Sequence, residues 1–234
     1  MGADLGPTDP PESAMYGQFC PVSKAMEVLD ERWTMLVLRE MLMGSTRFNE
    51  LRRGVPRMSP ALLSKRLGTL EKAGVIRREG TGTRTSYHLT ESGQELGPIV
   101  DALGVWGMRW APDLGDKDLD PHLLFWDMKR TTPLEKWPRQ KRTTVAFELD
   151  DVPPKVSRWW LVVNGDESDV CDFDPGFEVD ARVITGLREL IHVWRSDVSW
   201  PSALRKGAVK IEAPRELRRD LPEWIGHSSI AALL

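Results

Sequence analysis

Cysteine is almost missing from this chain: only Cys20 and Cys171 occur in 234 residues. Two thiols cannot build a disulfide framework, and no Cys/His spacing suggests zinc. Long apolar runs are missing as well. No stretch approaches the roughly 20 residues that a membrane span needs, which excludes an integral helical membrane protein. The opening residues, MGADLGPTDPPESAM, have neither a basic start nor an apolar block, so no secretory signal is read there and a cytoplasmic location is expected. Residues 1–14 read instead as an acidic, proline-rich, disordered tail. Catalytic signatures are equally scarce. The histidines (His88, His122, His192, His227) are scattered without ligand-spaced partners, and there is no GxSxG, phosphate loop or dinucleotide fingerprint. The acidic run from Asp166 to Glu178 lacks the ordered oxygen spacing and turn glycine of a calcium loop. No catalytic residue, metal or cofactor is assigned, and an enzyme is not expected.

What is present is a core and a lopsided charge. Apolar residues make up 41% and charged residues 29%, the balance of a soluble globular protein. The net charge of −3 conceals a basic block: residues 44–88 hold ten Lys/Arg against three Glu, net +7. Both the tail and the half after residue 112 are net acidic. A basic patch confined to one module points to a polyanionic partner.

The polar run PDLGDKDLDP, 112–121, reads as a linker between a module over 15–111 and another over 122–234. The first module reads mostly as helices. Pro21 suits a first helical turn, and Val22, Ala25, Met26 and Leu29 follow at helical spacing. A second helix is expected over roughly 32–43, with Trp33, Leu36, Val37 and Met41 on one face and Gly44 as a left-handed stop. RFNELRR forms a short third helix with Phe48 and Leu51 inward.

Residues 54–73, GVPRMSPALLSKRLGTLEKA, are the most informative segment. Ser59 before Pro60 is an N-cap followed by proline at the first helical position. Met58, Leu63, Leu67 and Leu70 can pack inward, leaving Ala61, Ser64, Lys65 and Gly68 on the opposite face. Small residues there would let the helix seat in a DNA major groove, about 12 Å wide. Lys65 can donate to guanine edges or phosphates and Ser64 to phosphate, and the N-terminus at Ser59 is itself a phosphate site. VIRREG and RTSYHLT then form a hairpin whose tip carries Arg77, Arg78, Thr83 and Arg84 around Gly82, a wing able to reach the adjacent backbone. Thr90 caps a last helix through Leu96, Ile99, Val100, Leu103 and Trp106, with a bend expected at Pro98. Arg47, ahead of the third helix, joins the DNA-facing set.

Over roughly residues 15–110 the sequence resembles the HxlR-type winged-helix transcriptional regulators. The resemblance is carried by Cys20-Pro21-Val22, ERWTMLVLREML, RFNELRR, MSPALLSKRLGTLEKAGVIRRE, YHLTESGQEL and the Leu103-to-Trp106 stretch. It implies a homodimer held by the first and last helices of the module, with Leu96, Ile99, Val100, Leu103 and Trp106 in the interface, on a palindromic double-stranded operator. Asp30-Glu31 departs from a junction where the family often has glycine. At Ala61-Leu62 relatives often place a long polar or basic residue, so base readout leans on Lys65 and the wing. In several relatives the cysteine matching Cys20 is a thiol sensor. A helix N-terminus favours thiolate, and Lys24 one turn on would help, while the alternative is a small residue packed near the interface.

The second module reads as α+β: helix LLFWDMKR, strands TTVAFEL, SRWWLVVN, SDVCDF and FEVDARVIT, helices LRELIHVWR and WPSALRKG, strand VKIEA, and a closing helix RELRRDLPEWI broken at Pro222. Phe177, Val179, Ala181 and Val183 are expected on one strand face. EVDARVIT, LRELIHVWR, SDVSWPSALRKGAVKIEA and RELRRDLPEW are similar to the sterol-carrier-like lipid-binding domain over roughly 120–226. Ser196 and Glu212-Ala213 stand where that family has glycines. The similarity implies an apolar cavity between sheet and helices for a lipid or other hydrophobic molecule, with Trp159, Trp160 and Trp194 as candidate lining. Seven of the ten tryptophans lie in this module, and they serve equally well as plain core.

The fold expected is thus α+β: a winged helix-turn-helix domain followed by a sterol-carrier-like sandwich. The function expected is a dimeric DNA-binding transcriptional regulator controlled by a hydrophobic small molecule. The alternatives are a redox-responsive regulator switched at Cys20, and an apolar-ligand carrier or small-molecule enzyme with an accessory winged helix.

Overall fold

The structure, a computed structural model, describes residues 16–234, so the tail read over 1–14 lies outside the described residues. The chain forms two compact units that divide between Gly97 and Pro98.

The first unit contains α1 (Pro21–Leu29), α2 (Thr34–Leu42), α3 (Phe48–Gly54), α4 (Pro60–Lys72), β1 (Ile76–Glu79), β2 (Ser86–Leu89) and α5 (Glu91–Gln94). Three helices and a hairpin close over one core of Val37, Leu38, Leu51, Met58, Leu63, Leu67, Leu70, Ile76 and Leu89. This is the winged helix-turn-helix arrangement. α2 differs from expectation at its start. Trp33 takes a left-handed φ of +80°, so the helix begins at Thr34. That start turns Thr34, Val37, Leu38 and Met41 inward at i, i+3, i+4 and i+7, and Leu36 is exposed.

The last helix of the module is also two pieces. α5 ends at Gln94 and α6 runs over Gly97–Trp110. The break precedes Pro98, which occupies the first turn of the new helix, where its missing N–H costs nothing.

In the second unit α6 is followed by α7 (Pro121–Thr131), β3 (Thr143–Leu149), β4 (Arg158–Asn164), β5 (Glu167–Cys171), β6 (Ala181–Thr185), α8 (Leu187–Trp194), α9 (Trp200–Lys206), β7 (Val209–Glu212) and α10 (Arg215–Ile225). The strands form one sheet in the order β5-β4-β3-β6-β7. β3 is central, antiparallel to β4 and parallel to β6. One sheet face joins α7–α10 in a core that includes Phe125, Phe147, Trp159, Leu161, Val183, Leu190, Trp194 and Ile225. Phe125 stacks on Trp159 with ring centroids 4.7 Å apart.

Three expectations are corrected here. TTVAFEL alternates apolar and polar residues, the pattern expected of a half-buried strand, yet Thr144 and Ala146 on its second face are buried too, because β3 is the central strand. FEVDARVIT is strand only from Ala181. Asp180 ends the ladder by accepting the Thr144 N–H at 2.9 Å, and Phe177 lies outside it, partly exposed. Pro222 does not break the closing helix, which continues to Ile225 and ends with the Gly226 N–H on the Pro222 carbonyl. The run 112–121 is fastened along α8: Arg188 donates to the Leu114 carbonyl at 2.9 Å and pairs with Asp116 at 2.6 Å. Leu114 and Leu119 pack on the core.

Candidate nucleic-acid interface

α4 starts where its sequence dictates. Ser59 is extended, its hydroxyl accepts the Leu62 N–H at 3.3 Å, and Pro60 opens the helix. Leu63, Leu67 and Leu70 are buried, which presents Ala61, Ser64 and Lys65 to solvent. Gly68 adds no bulk on that side, since nothing lies within 4 Å of where its Cβ would be.

One of the ten bases in the block is not available to a polyanion. Arg66, only 4% exposed, forms an ion pair with Glu31 and donates to the Arg32 carbonyl at 3.3 Å. Burial pulls its pKa down, opposed by the charge of Asp30. Arg66 therefore ties α4 to the turn between α1 and α2. Its place in the i, i+3, i+4 pattern of Leu63, Leu67 and Leu70 carried that signal in the sequence.

The hairpin pairs Ile76 with Leu89 and Glu79 with Ser86. Gly80 at its tip has φ +74°, and a Cβ there would lie 2.6 Å from the Arg84 carbonyl oxygen, so the turn requires glycine. Arg77 is engaged at the base: its Nε donates to Glu79 at 2.9 Å and its Nη1 to the Leu89 carbonyl. That hydrogen bond, with the nearby His88 charge, holds the Glu79 carboxyl below the usual carboxylate range. Arg47 braces the hairpin, its Nη1 donating to the carbonyls of Arg84 at 2.8 Å and Thr85 at 3.2 Å. The Tyr87 N–H reaches the Thr46 carbonyl at 2.8 Å. Thr83 is exposed. Lys65, Arg78 and Arg84 point cations into solvent and have no ion-pair partner among the described residues. The expected set thus divides into a solvent-facing group and two arginines, Arg47 and Arg77, engaged in shaping the wing.

The sequence profile of the HxlR-like helix-turn-helix family matches residues 28–114. YvaP of Bacillus subtilis, an uncharacterised HTH-type transcriptional regulator, is 37% identical over 97 residues, 40% of this chain and 90% of that protein. The chain belongs to the HxlR-like family. An uncharacterised HTH-type transcriptional regulator of Methanothermobacter thermautotrophicus is 37% identical over 94 residues, 39% of this chain and 72% of its own length. Another from Synechocystis, sll1512, is 35% identical over 97 residues, 40% of this chain and 72% of that one. The protein is a transcriptional regulator of the HxlR type, and the family match takes in α6 and ends at residue 114, ahead of α7.

The remaining expected residues fall as follows. Cys20 is half-buried at the head of α1, but the Lys24 ammonium turns to Glu27 at 2.9 Å. Of the interface set, Leu96 already packs on the first unit's core and Val100 is buried, which corrects their assignment to an open face. Ile99, Leu103 and Trp106 are exposed, and Trp110, missed in the sequence reading, extends the stripe by one turn at 74% exposure. Trp159 and Trp194 belong to one core, where their indole N–H groups bond the Val156 carbonyl and Asp127. Trp160, next to Trp159 on β4, faces the other side of the sheet, so the three do not line one space. No cluster of His, Cys, Asp or Glu suited to a metal occurs among the described residues, and no helix there is long and apolar enough to cross a membrane.

Proposed function

We propose that this HxlR-type regulator acts in the cytoplasm as a homodimer on a pseudo-palindromic operator. α4 enters the major groove through Ala61, Ser64 and Lys65, and the wing sets Arg78, Thr83 and Arg84 on the adjacent backbone. The observation that carries the reading is that Lys65, Arg78 and Arg84, on α4 and the hairpin, face solvent with no ion-pair partner among the described residues, while Arg47, Arg66 and Arg77 bond groups of their own unit. Two recognition helices related by a dimer axis fit half-sites about 10 bp apart. Two apolar faces support the dimer: Phe19, Val22 and Met26 at α1, and Ile99, Leu103, Trp106 and Trp110 on α6. A gel-shift titration with the promoter fragment of its own locus tests the reading. Arg84→Ala should weaken binding to every sequence and lower the salt slope by about one. Absence of any salt-sensitive shift with the unmodified chain overturns it.

The second unit reads as a sterol-carrier-like sensing domain for a hydrophobic effector. Its support is one sheet face covered by four helices, with Trp137, Trp159, Trp194 and Trp200 in the shared core. An effector regulates only if it distinguishes the DNA-competent state, and operator DNA must then change effector affinity by the same factor. Equal affinity with and without operator reduces this unit to a scaffold.

A further inference from the structure

An open cleft of about 510 Å³ lies in the second unit. That volume is within the range of small-molecule sites, roughly 300–1,000 Å³. It opens on the sheet face away from the helices. Val162 on β4 is its buried floor, with Asn164 two residues on along the same face. On the edge strand Asp169 stands opposite Val162 and Glu167 opposite Asn164. Lys129 reaches round that edge from α7 and pairs with Asp169 at 2.6 Å, so these two charges cancel. On the other wall Arg142 lays its guanidinium 4.0 Å from the centroid of the partly exposed Phe177 ring.

Two opposite charges are left over. Neither Arg142 nor Glu167 has an ion-pair partner among the described residues, and the Asn164 amide makes no hydrogen bond there. The balance selects the ligand by elimination. A simple anion would satisfy Arg142 but face the Glu167 carboxylate. A simple cation would suit Glu167 and be repelled by Arg142. A lipid tail would find only Val162 and the rim of one ring. A molecule bearing both charges a short distance apart, beside an apolar group, matches all the surfaces at once.

We propose that this cleft binds a free α-amino acid with an apolar side chain. The carboxylate pairs with the planar guanidinium of Arg142, which Phe177 holds flat for two parallel hydrogen bonds. The ammonium donates to Glu167 and to the Asn164 side-chain oxygen. The side chain rests on Val162 and the Phe177 rim. The site lies on the opposite sheet face from the interior assigned to a hydrophobic effector, and the inference does not rest on the DNA reading.

Calorimetric titration of the full chain, without DNA, tests it. The probes are L-phenylalanine and L-leucine, beside 3-phenylpropionate, which lacks the ammonium, and phenethylamine, which lacks the carboxylate. Both amino acids should bind saturably, and neither control should. Arg142→Gln and Glu167→Gln, both at exposed positions, should each weaken binding about tenfold or more, the range of one charge-assisted hydrogen bond, with the thermal midpoint of the unliganded chain unchanged. Arg142→Lys should restore part of the loss, since it keeps the charge without the planar fork. No saturable heat from either amino acid overturns the proposal. So does binding that survives both Gln substitutions, and so does 3-phenylpropionate binding as tightly as phenylalanine.

Discussion

A Cβ on Gly54 would overlap the Glu40 carboxylate, which is fully buried beside it. Arg39 closes that corner, donating to Glu40 at 2.7 Å and to the Gly54 carbonyl at 3.1 Å. Gly54→Ala should therefore destabilise the first unit by about 1–3 kcal/mol, the usual cost of overpacking, seen as a lower midpoint in urea. An unchanged midpoint would show that the carboxylate moves aside freely. Arg47 makes a different kind of prediction. Arg47→Ala removes the brace on Arg84 and Thr85. It should raise amide exchange at the wing and weaken DNA binding while the core stays folded. Weaker binding with wing exchange unaltered would instead make Arg47 a direct phosphate contact. In the sequence these residues are no more than charges and a glycine, because partners 15 to 38 positions away cannot be read from spacing.

On α6, Ile99, Leu103, Trp106 and Trp110 recur at i, i+4, i+7 and i+11, a single apolar stripe in water. Leu103→Arg should yield a monomer by sedimentation, with operator affinity greatly reduced because one half-site is left. A monomer in the unmodified protein at micromolar concentration removes the basis for that expectation. The wing carries a pH signature. The Glu79 carboxyl is held below its usual range chiefly by Arg77. Its contribution is present above the ordinary carboxylate range and is lost as pH falls through the lowered folded value. Acid should therefore loosen the hairpin, and Glu79→Gln should remove that acid sensitivity from its amide exchange. Elements with strong local signals were legible: the Ser59-Pro60 cap, the hairpin and the α8 face all form, although the hairpin strands read as VIRREG and RTSYHLT shorten to Ile76–Glu79 and Ser86–Leu89. What depends on neighbours was not. The start of α2 is set by the φ of Trp33, and the burial of Thr144 and Ala146 by strand order.

Each of the two units has its own hydrophobic core. Trp33 is the one tryptophan of the first, and the other nine follow Gly97. In urea, tryptophan emission is therefore dominated by the second unit, while far-ultraviolet ellipticity reports both. We expect the two midpoints to differ, with operator DNA raising the ellipticity midpoint more than the emission midpoint. Coincident transitions with and without DNA would mean that the chain unfolds as one cooperative body.

The central strand has a consequence for how the protein is made. β3 pairs in parallel with β6, so Val145 waits for Ala181, which leaves the ribosome 36 residues later. At about 5–20 residues per second that delay is roughly 2–7 s, during which TTVAFEL can pair with RWWLVVN on one side while its other edge stays open for want of β6. The helices and hairpin before them depend on no later strand. A nascent chain could thus hold a finished DNA-binding head while its sheet is still open to aggregation or to a chaperone, and stalling synthesis at a point where residue 164 but not residue 181 has left the ribosome should trap that species.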